Sequence, residues 1–299
     1  MKRHFFFENL HSILSFAILG TFVSNLTVGI LLFVTGRIGL SVRLSIAECL
    51  TFGALISTTN PVSTLTIFQE LPVDPTLLYV VFGESVLNDA VSIVLFTTFS
   101  KFIGYTYTLS SSIFALLDFG LIFVGSTFVG ILFGLLLALL FKHFDFKNCS
   151  RIFHSLAHLT ETIVFLNLEL MLFSLTSGYH AGLIVCIMLF CFLGCAAHVY
   201  PISRFLNKRL AEPLLINHQH VLWFSGLRGT VAYALAASFP GEHREDIVAM
   251  TMVIVLLTVF CMGGGTISML ERLQIARLTP EQELALDKSV RPVDRMKLL

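Results

Sequence analysis

Charge is what this chain most lacks. Asp, Glu, Lys and Arg make up 13% of its 299 residues, and 19 basic residues balance 19 acidic ones to a formal net charge of zero. No basic excess is present to hold a polyanion, so nucleic acid is not an expected partner. With 56% hydrophobic residues and a mean hydropathy of +0.86, the chain has too little polar surface for a soluble globular protein. Cysteine is scarce in loops: Cys49, Cys186, Cys191, Cys195 and Cys261 sit in apolar segments and Cys149 alone lies in a loop. That argues against a disulfide framework and for packed free thiols. A zinc-protease H-E-x-x-H is missing too, and the His154/His158/Glu161 grouping falls at a cytosolic rim. No resident metal, no cofactor and no enzyme chemistry are expected. The apolar run after Met1-Lys2-Arg3-His4 is too long for a signal peptide and ends in no A-x-A-like site, so it reads as a membrane span.

What the chain does have is long apolar runs. A bilayer-spanning helix needs roughly 20 such residues. The pattern predicts an all-α polytopic membrane protein of about eight transmembrane helices, near 11–35, 45–69, 77–100, 113–141, 156–176, 180–200, 214–238 and 246–270, with a polar tail over 271–299. Eight spans put both termini on one side. That side collects 14 Lys and Arg, among them Lys2, Arg3, Lys142, Lys147 and Arg204, and the other side collects four, Arg37, Arg43, Lys101 and Arg244. The positive-inside rule therefore places both termini in the cytosol.

Two spans are interrupted, and a third carries acid. The second contains Ser57-Thr58-Thr59-Asn60-Pro61, where the proline removes a backbone donor and disfavours helix at Asn60. The seventh contains Ser225-Gly226-Leu227-Arg228-Gly229, with glycines on both sides of the one cation inside a span. Between them in sequence, the third span reads Phe82-Gly83-Glu84-Ser85-Val86-Leu87-Asn88-Asp89. A charge at that depth costs about 2.5–3.5 kcal/mol on insertion scales. Buried acids therefore mark an ion or proton path more often than they serve as helix glue. Broken helices near the midplane supply oriented dipoles and freed carbonyls to ion sites in secondary transporters.

At these residues the chain resembles the sodium/proton exchanger family, most closely its endosomal (organellar) branch. The resemblance rests on "KRHFFFENLHSILSFAILGT", "GALISTTNPVSTLTIFQELPVDPTLLYVVFGESVLNDAVSIVL", "LAHLTETIVF", "AAHVYP", "FSGLRGTVAYALA" and "VIVLLTVFCMGGGTISML". It implies an inverted-repeat antiporter core with two broken crossing helices. Residues 1–104 would form the first core repeat, 105–155 a linker span and basic loop, 156–176 a remnant of the scaffold, 177–270 the second repeat, and 271–299 a cytosolic tail. On that map the three helices preceding the core and two between Phe141 and Ser155 are absent.

The resemblance also implies roles. Asp89 would carry the ion, because a buried carboxyl able to hold either a proton or a cation exchanges one for the other when presented to each side in turn. One carboxyl makes that exchange one-for-one and electroneutral. Asn88 would add a carbonyl ligand and orient the site. Thr58 and Thr59, with the carbonyls freed at Asn60, would supply further oxygens to Na⁺ or K⁺. Glu84, one turn before Asn88, is expected either to pair with Arg228 or to titrate as a second site. Glu161 either assists proton access or lies on a solvated face. Two positions depart from the family: Asn60 stands where the family usually has Asp in T-D-P, and Cys195 where it usually has Arg in G-R-A-A. The expected function is monovalent cation/proton antiport in an endosomal, Golgi or plasma membrane, by a homodimer. The alternative is a truncated, non-transporting subunit that associates with full-length exchangers in the lipid bilayer.

Overall fold

The computed structural model describes residues 9–39, 43–60, 75–104, 109–143, a few positions between 155 and 166, 181–208 and 214–273. Among them every regular element is helical. Helix α1 is Leu10–Ile38, α2 Ile46–Ser57, α3 Pro75–Ser100, α4 Leu109–His143, α5 Ala181–Leu206, α6 Ile216–Phe224, α7 Thr230–Ala237 and α8 Arg244–Arg272. Helices α1, α3, α4, α5 and α8 each contain a stretch apolar and long enough to cross a bilayer. The short pair α6 and α7 divides the expected seventh span at Ser225–Gly229, and α2 ends at Ser57, before the proline. Residues 61–69 of the expected 45–69 span and most of 156–176, including Glu161, lie outside the described residues. The sixth span runs past its expected end at 200, because α5 continues through Pro201 to Leu206.

Local chemistry sets the ends. Ser45 starts α2 with a capping box: its hydroxyl accepts from the Glu48 N–H at 3.2 Å, and the Glu48 carboxylate accepts from the Ser45 N–H at 2.8 Å. This accounts for Glu48, an acid at the edge of a span. Asp118, another acid in an apolar stretch, meets Lys101 at 2.6 Å and ties α4 to the end of α3. Phe119 and Phe123 rest partly buried against the core, but no residue of the apolar stretch Leu117–Leu140 of α4 is fully buried, and from Val124 onward it is exposed among the described residues. A helix apolar on every side belongs in lipid or against other transmembrane helices.

Packing builds two apolar clusters with a polar layer between them. One gathers Val28, Leu32, Phe52, Leu95, Ile187 and Ile254, and the other Ile13, Phe16, Val80, Val199, Leu222 and Leu270. Between them, close to mid-length on each long helix, lie the buried polar groups: Thr21, Ser24 and Asn25 on α1, Glu84, Ser85 and Asn88 on α3, His198 on α5 and Thr258 on α8. Widened π turns adjoin this layer on two helices, Ser15–Gly20 just before Thr21 and Val259–Gly263 just after Thr258. Such turns are frequent at functional sites because they re-aim side chains without ending a helix. Helix association in lipid relies on close packing rather than on hydrophobic drive. Small residues supply it where α1 meets α2 and α5, with Gly53 against Asn25 and Gly194 against Ser24.

Candidate functional site

The two breaks meet. The Asn60 N–H donates to the Leu227 carbonyl at 2.7 Å, so the extended backbone after α2 pairs with the extended backbone between α6 and α7. Contact is so close that a Cβ built on Gly229 would lie 2.4 Å from that of Asn60. Glycine at 229 is therefore a condition of the crossing, not only a helix breaker.

Three carbonyls freed where α2 ends are each met by a donor. Ser57 O accepts from Asn88 Nδ2 at 3.1 Å, Thr58 O from Arg228 Nη1 at 3.4 Å, and Thr59 O from Ser85 Oγ at 2.5 Å. In a bilayer core no solvent would otherwise satisfy them. Each carbonyl has two lone pairs, so each keeps acceptor capacity.

Asn88 organises this layer. Its amide also donates to Thr59 Oγ1 at 2.9 Å, and its Oδ1 accepts from Thr21 Oγ1 at 2.6 Å and Ser92 Oγ at 3.2 Å. Two hydroxyls thus face Oδ1. Asn88 ties α3 to α1 and to the backbone after α2. Thr21 also approaches the Ala17 carbonyl, and its single proton cannot serve both acceptors fully. Asp89, the next residue, differs from all of these: its Oδ1 is buried and has no hydrogen-bond partner among the described residues.

The expected Glu84–Arg228 ion pair is not formed. Glu84 Oε1 lies 3.4 Å from His198 Nε2 on α5, and both side chains are buried. Arg228, 1% exposed, points Nη1 at Thr58 O and Nη2 at Cys195 Sγ, also 3.4 Å away, while its Nε finds no partner among the described residues. The physical reason is position: His198 and Cys195 project from successive turns of α5, and each intercepts one of the two charged groups. Sequence reading missed His198, and it missed Thr21, Ser57, Ser85 and Ser92. The i−3 and i+4 spacing of Ser85 and Ser92 from Asn88 signals the last two. Nothing local signals the contacts from α1 and α5. Among the described residues no group of three His, Cys, Asp or Glu is arranged to hold a metal.

Discontinuous helices that cross at mid-bundle, beside a buried acid, are the construction of secondary transporters. Residues 1–160 and 147–272 match the transmembrane domain of the sodium/hydrogen exchangers. Sodium/hydrogen exchanger 8 of Macaca fascicularis is 36% identical over 315 residues, which cover 95% of this chain and 57% of that protein. The endosomal/prevacuolar sodium/hydrogen exchanger of Saccharomyces cerevisiae is 33% identical over 90% of this chain and 54% of its own length. Sodium/hydrogen exchanger 5 of Arabidopsis thaliana is 32% identical over 90% and 64%. The chain belongs to the sodium/hydrogen exchanger family. It spans between 54% and 64% of the length of these curated relatives.

Proposed function

We propose that the chain carries the ion site of an electroneutral antiporter that exchanges Na⁺ or K⁺ for H⁺ across an organellar or plasma membrane, with both termini in the cytosol. The observation that carries this reading is Asp89 Oδ1, a buried carboxylate oxygen with no partner among the described residues, one position from the Asn88 hub. A buried carboxylate left unsatisfied is costly, and binding a proton or a cation removes the cost. Asp89 trades the two, Thr59 and the carbonyls of residues 57–59 offer neutral oxygen donors nearby, and Asn88 holds that backbone in place. Asn60 takes part through the backbone that joins the breaks. Helices α1–α3 and α5–α8 serve as the two repeats, with α4 as the linker. The test is proton flux driven by Na⁺ or K⁺ gradients in vesicles containing the purified chain. Cation-coupled flux that disappears in Asp89→Asn, with expression unchanged, is the expected result, and retained flux in that variant overturns the assignment.

A second reading is a non-transporting subunit that pairs with a full-length exchanger. What favours it is the exposed apolar run Val124–Leu140 of α4, a face available to another membrane helix. Co-purification with a full-length exchanger, together with no flux from the chain alone, would select this reading.

A further inference from the structure

The contact between Glu84 and His198 contains more information than a distance. His198 Nδ1 lies 3.0 Å from the Gly194 carbonyl, which only accepts hydrogen bonds, so Nδ1 carries a proton. The opposite nitrogen, Nε2, is the one 3.4 Å from Glu84 Oε1. If the ring were neutral and the carboxyl ionised, a nitrogen lone pair would face a carboxylate inside the protein, with no hydrogen between them. Two arrangements avoid this. Either Nε2 is also protonated and donates to the carboxylate, or the carboxyl is protonated and donates to Nε2. Both contain the same one proton.

We propose that Glu84 and His198 act as one unit that holds a single proton between Oε1 and Nε2, a proton-binding site separate from Asp89. Moving that proton breaks one N–H bond and makes one O–H bond, or the reverse, and leaves the unit's net charge at zero. Packing fixes the geometry. The ring lies against α1 at Gly20, where an added Cβ would stand 3.0 Å from His198 Cδ2. Both side chains border a small cavity shared with Thr59, Ser85, Cys195 and Ser225, with room for about one water molecule. The other titratable groups nearby are Cys195, one turn before His198, Arg228, which reaches Cys195 at 3.4 Å, and Asp89 further along α3. Gly20 is the residue that α1 presents to the ring, and Leu222, Ser225 and Gly226 line the cavity from α6 and the break, whose one charge, Arg228, is turned to Thr58 and Cys195. Glu84 thus contributes no net charge to the polar layer, and Asp89 remains the carboxyl that trades ions.

The unit holds its proton whether or not the chain transports, so the test reads it directly. The chain is labelled with ¹⁵N-histidine in lipid nanodiscs, and the His198 signals are assigned by their loss in His198→Gln. Nδ1 is expected to be protonated, as both arrangements of the pair require. A neutral ring with its proton on Nε2 and a bare Nδ1 overturns the proposal. In the same nanodiscs His198→Ala should lower the melting temperature, because it strands Glu84. Glu84→Gln/His198→Ala should recover at least half of that loss. A double variant that melts as low as His198→Ala, or lower, also overturns it.

Discussion

The backbone N–H of Asn60 donates to the carbonyl of Leu227 at 2.7 Å, and this bond joins the break in one crossing helix to the break in the other. Neither segment can shift along its axis without disturbing the other. Arg228 adds a second tie from its Nη1 to Thr58 O. The layer around Asp89 is therefore set by paired backbones before any side chain contributes, and the side chains of α3 then fasten one of those backbones in place.

The closeness of that crossing gives the first prediction. In Gly229→Ala the new methyl would meet Asn60 Cβ at 2.4 Å, and both sides of the contact are constrained by hydrogen bonds. Overpacking of this kind costs about 1–3 kcal/mol, occasionally more. Gly125→Ala on α4 has nothing within 4 Å of its Cβ and should be neutral or stabilising by about 0.5–1 kcal/mol. Thermal unfolding of both variants in detergent compares them, and equal melting temperatures would show that the crossing is looser than described.

Asn88 gives the second. Asn88→Ala removes the donors to Ser57 O and Thr59 Oγ1 and the acceptor for Thr21 and Ser92. Each buried group left unsatisfied costs about 1–3 kcal/mol. Hydrogen exchange at residues 57–60 should accelerate together with a fall in melting temperature. An unchanged exchange rate there would mean that the break is held by Arg228 and Ser85 alone.

Arg228 gives a prediction that separates the expected pairing from the observed one. Breaking a buried ion pair from one side costs about 3–5 kcal/mol, because the other charge is stranded. Here the guanidinium faces a carbonyl and a thiol, and Glu84 has its own partner in His198. Arg228→Met should therefore destabilise by less than that range, and adding Glu84→Gln should bring no recovery. Recovery in the double variant would restore the direct pair.

How much of this was legible in the chain follows from the range of each interaction. Asn60-Pro61 and the glycines around Arg228 act within one or two residues, so both breaks could be read from the sequence. Most span limits could be read from apolar run length, and α5 outran its limit because a helix tolerates Pro201 when neighbours support it. The acids on α3 stood out by cost alone. Their partners did not, because a partner is fixed by which turns of other helices arrive at the same depth. Glu84 and His198 are 114 positions apart, and one turn of α5 decides whether the carboxyl meets His198 or Cys195. The same holds for Asn88: nothing near it in sequence indicates that Thr21 will donate to its oxygen.

Thr59 provides the last prediction, since it belongs both to the scaffold of the break and to the proposed ion site. Its Oγ1 accepts from Asn88, its carbonyl accepts from Ser85, and it borders the cavity beside Glu84. Thr59→Val keeps the shape but strands one Asn88 amide hydrogen, which should cost about 1–3 kcal/mol. Thr59→Ser keeps the oxygen and should restore most of that. If the hydroxyl is also a cation donor, transport separates the two roles. In vesicles that show exchange, Thr59→Val should raise the KM for Na⁺ or K⁺, while Thr59→Ser stays near the parent chain. A valine variant that loses stability but keeps its KM would confine Thr59 to holding the break and leave its carbonyl neighbours as the oxygen donors.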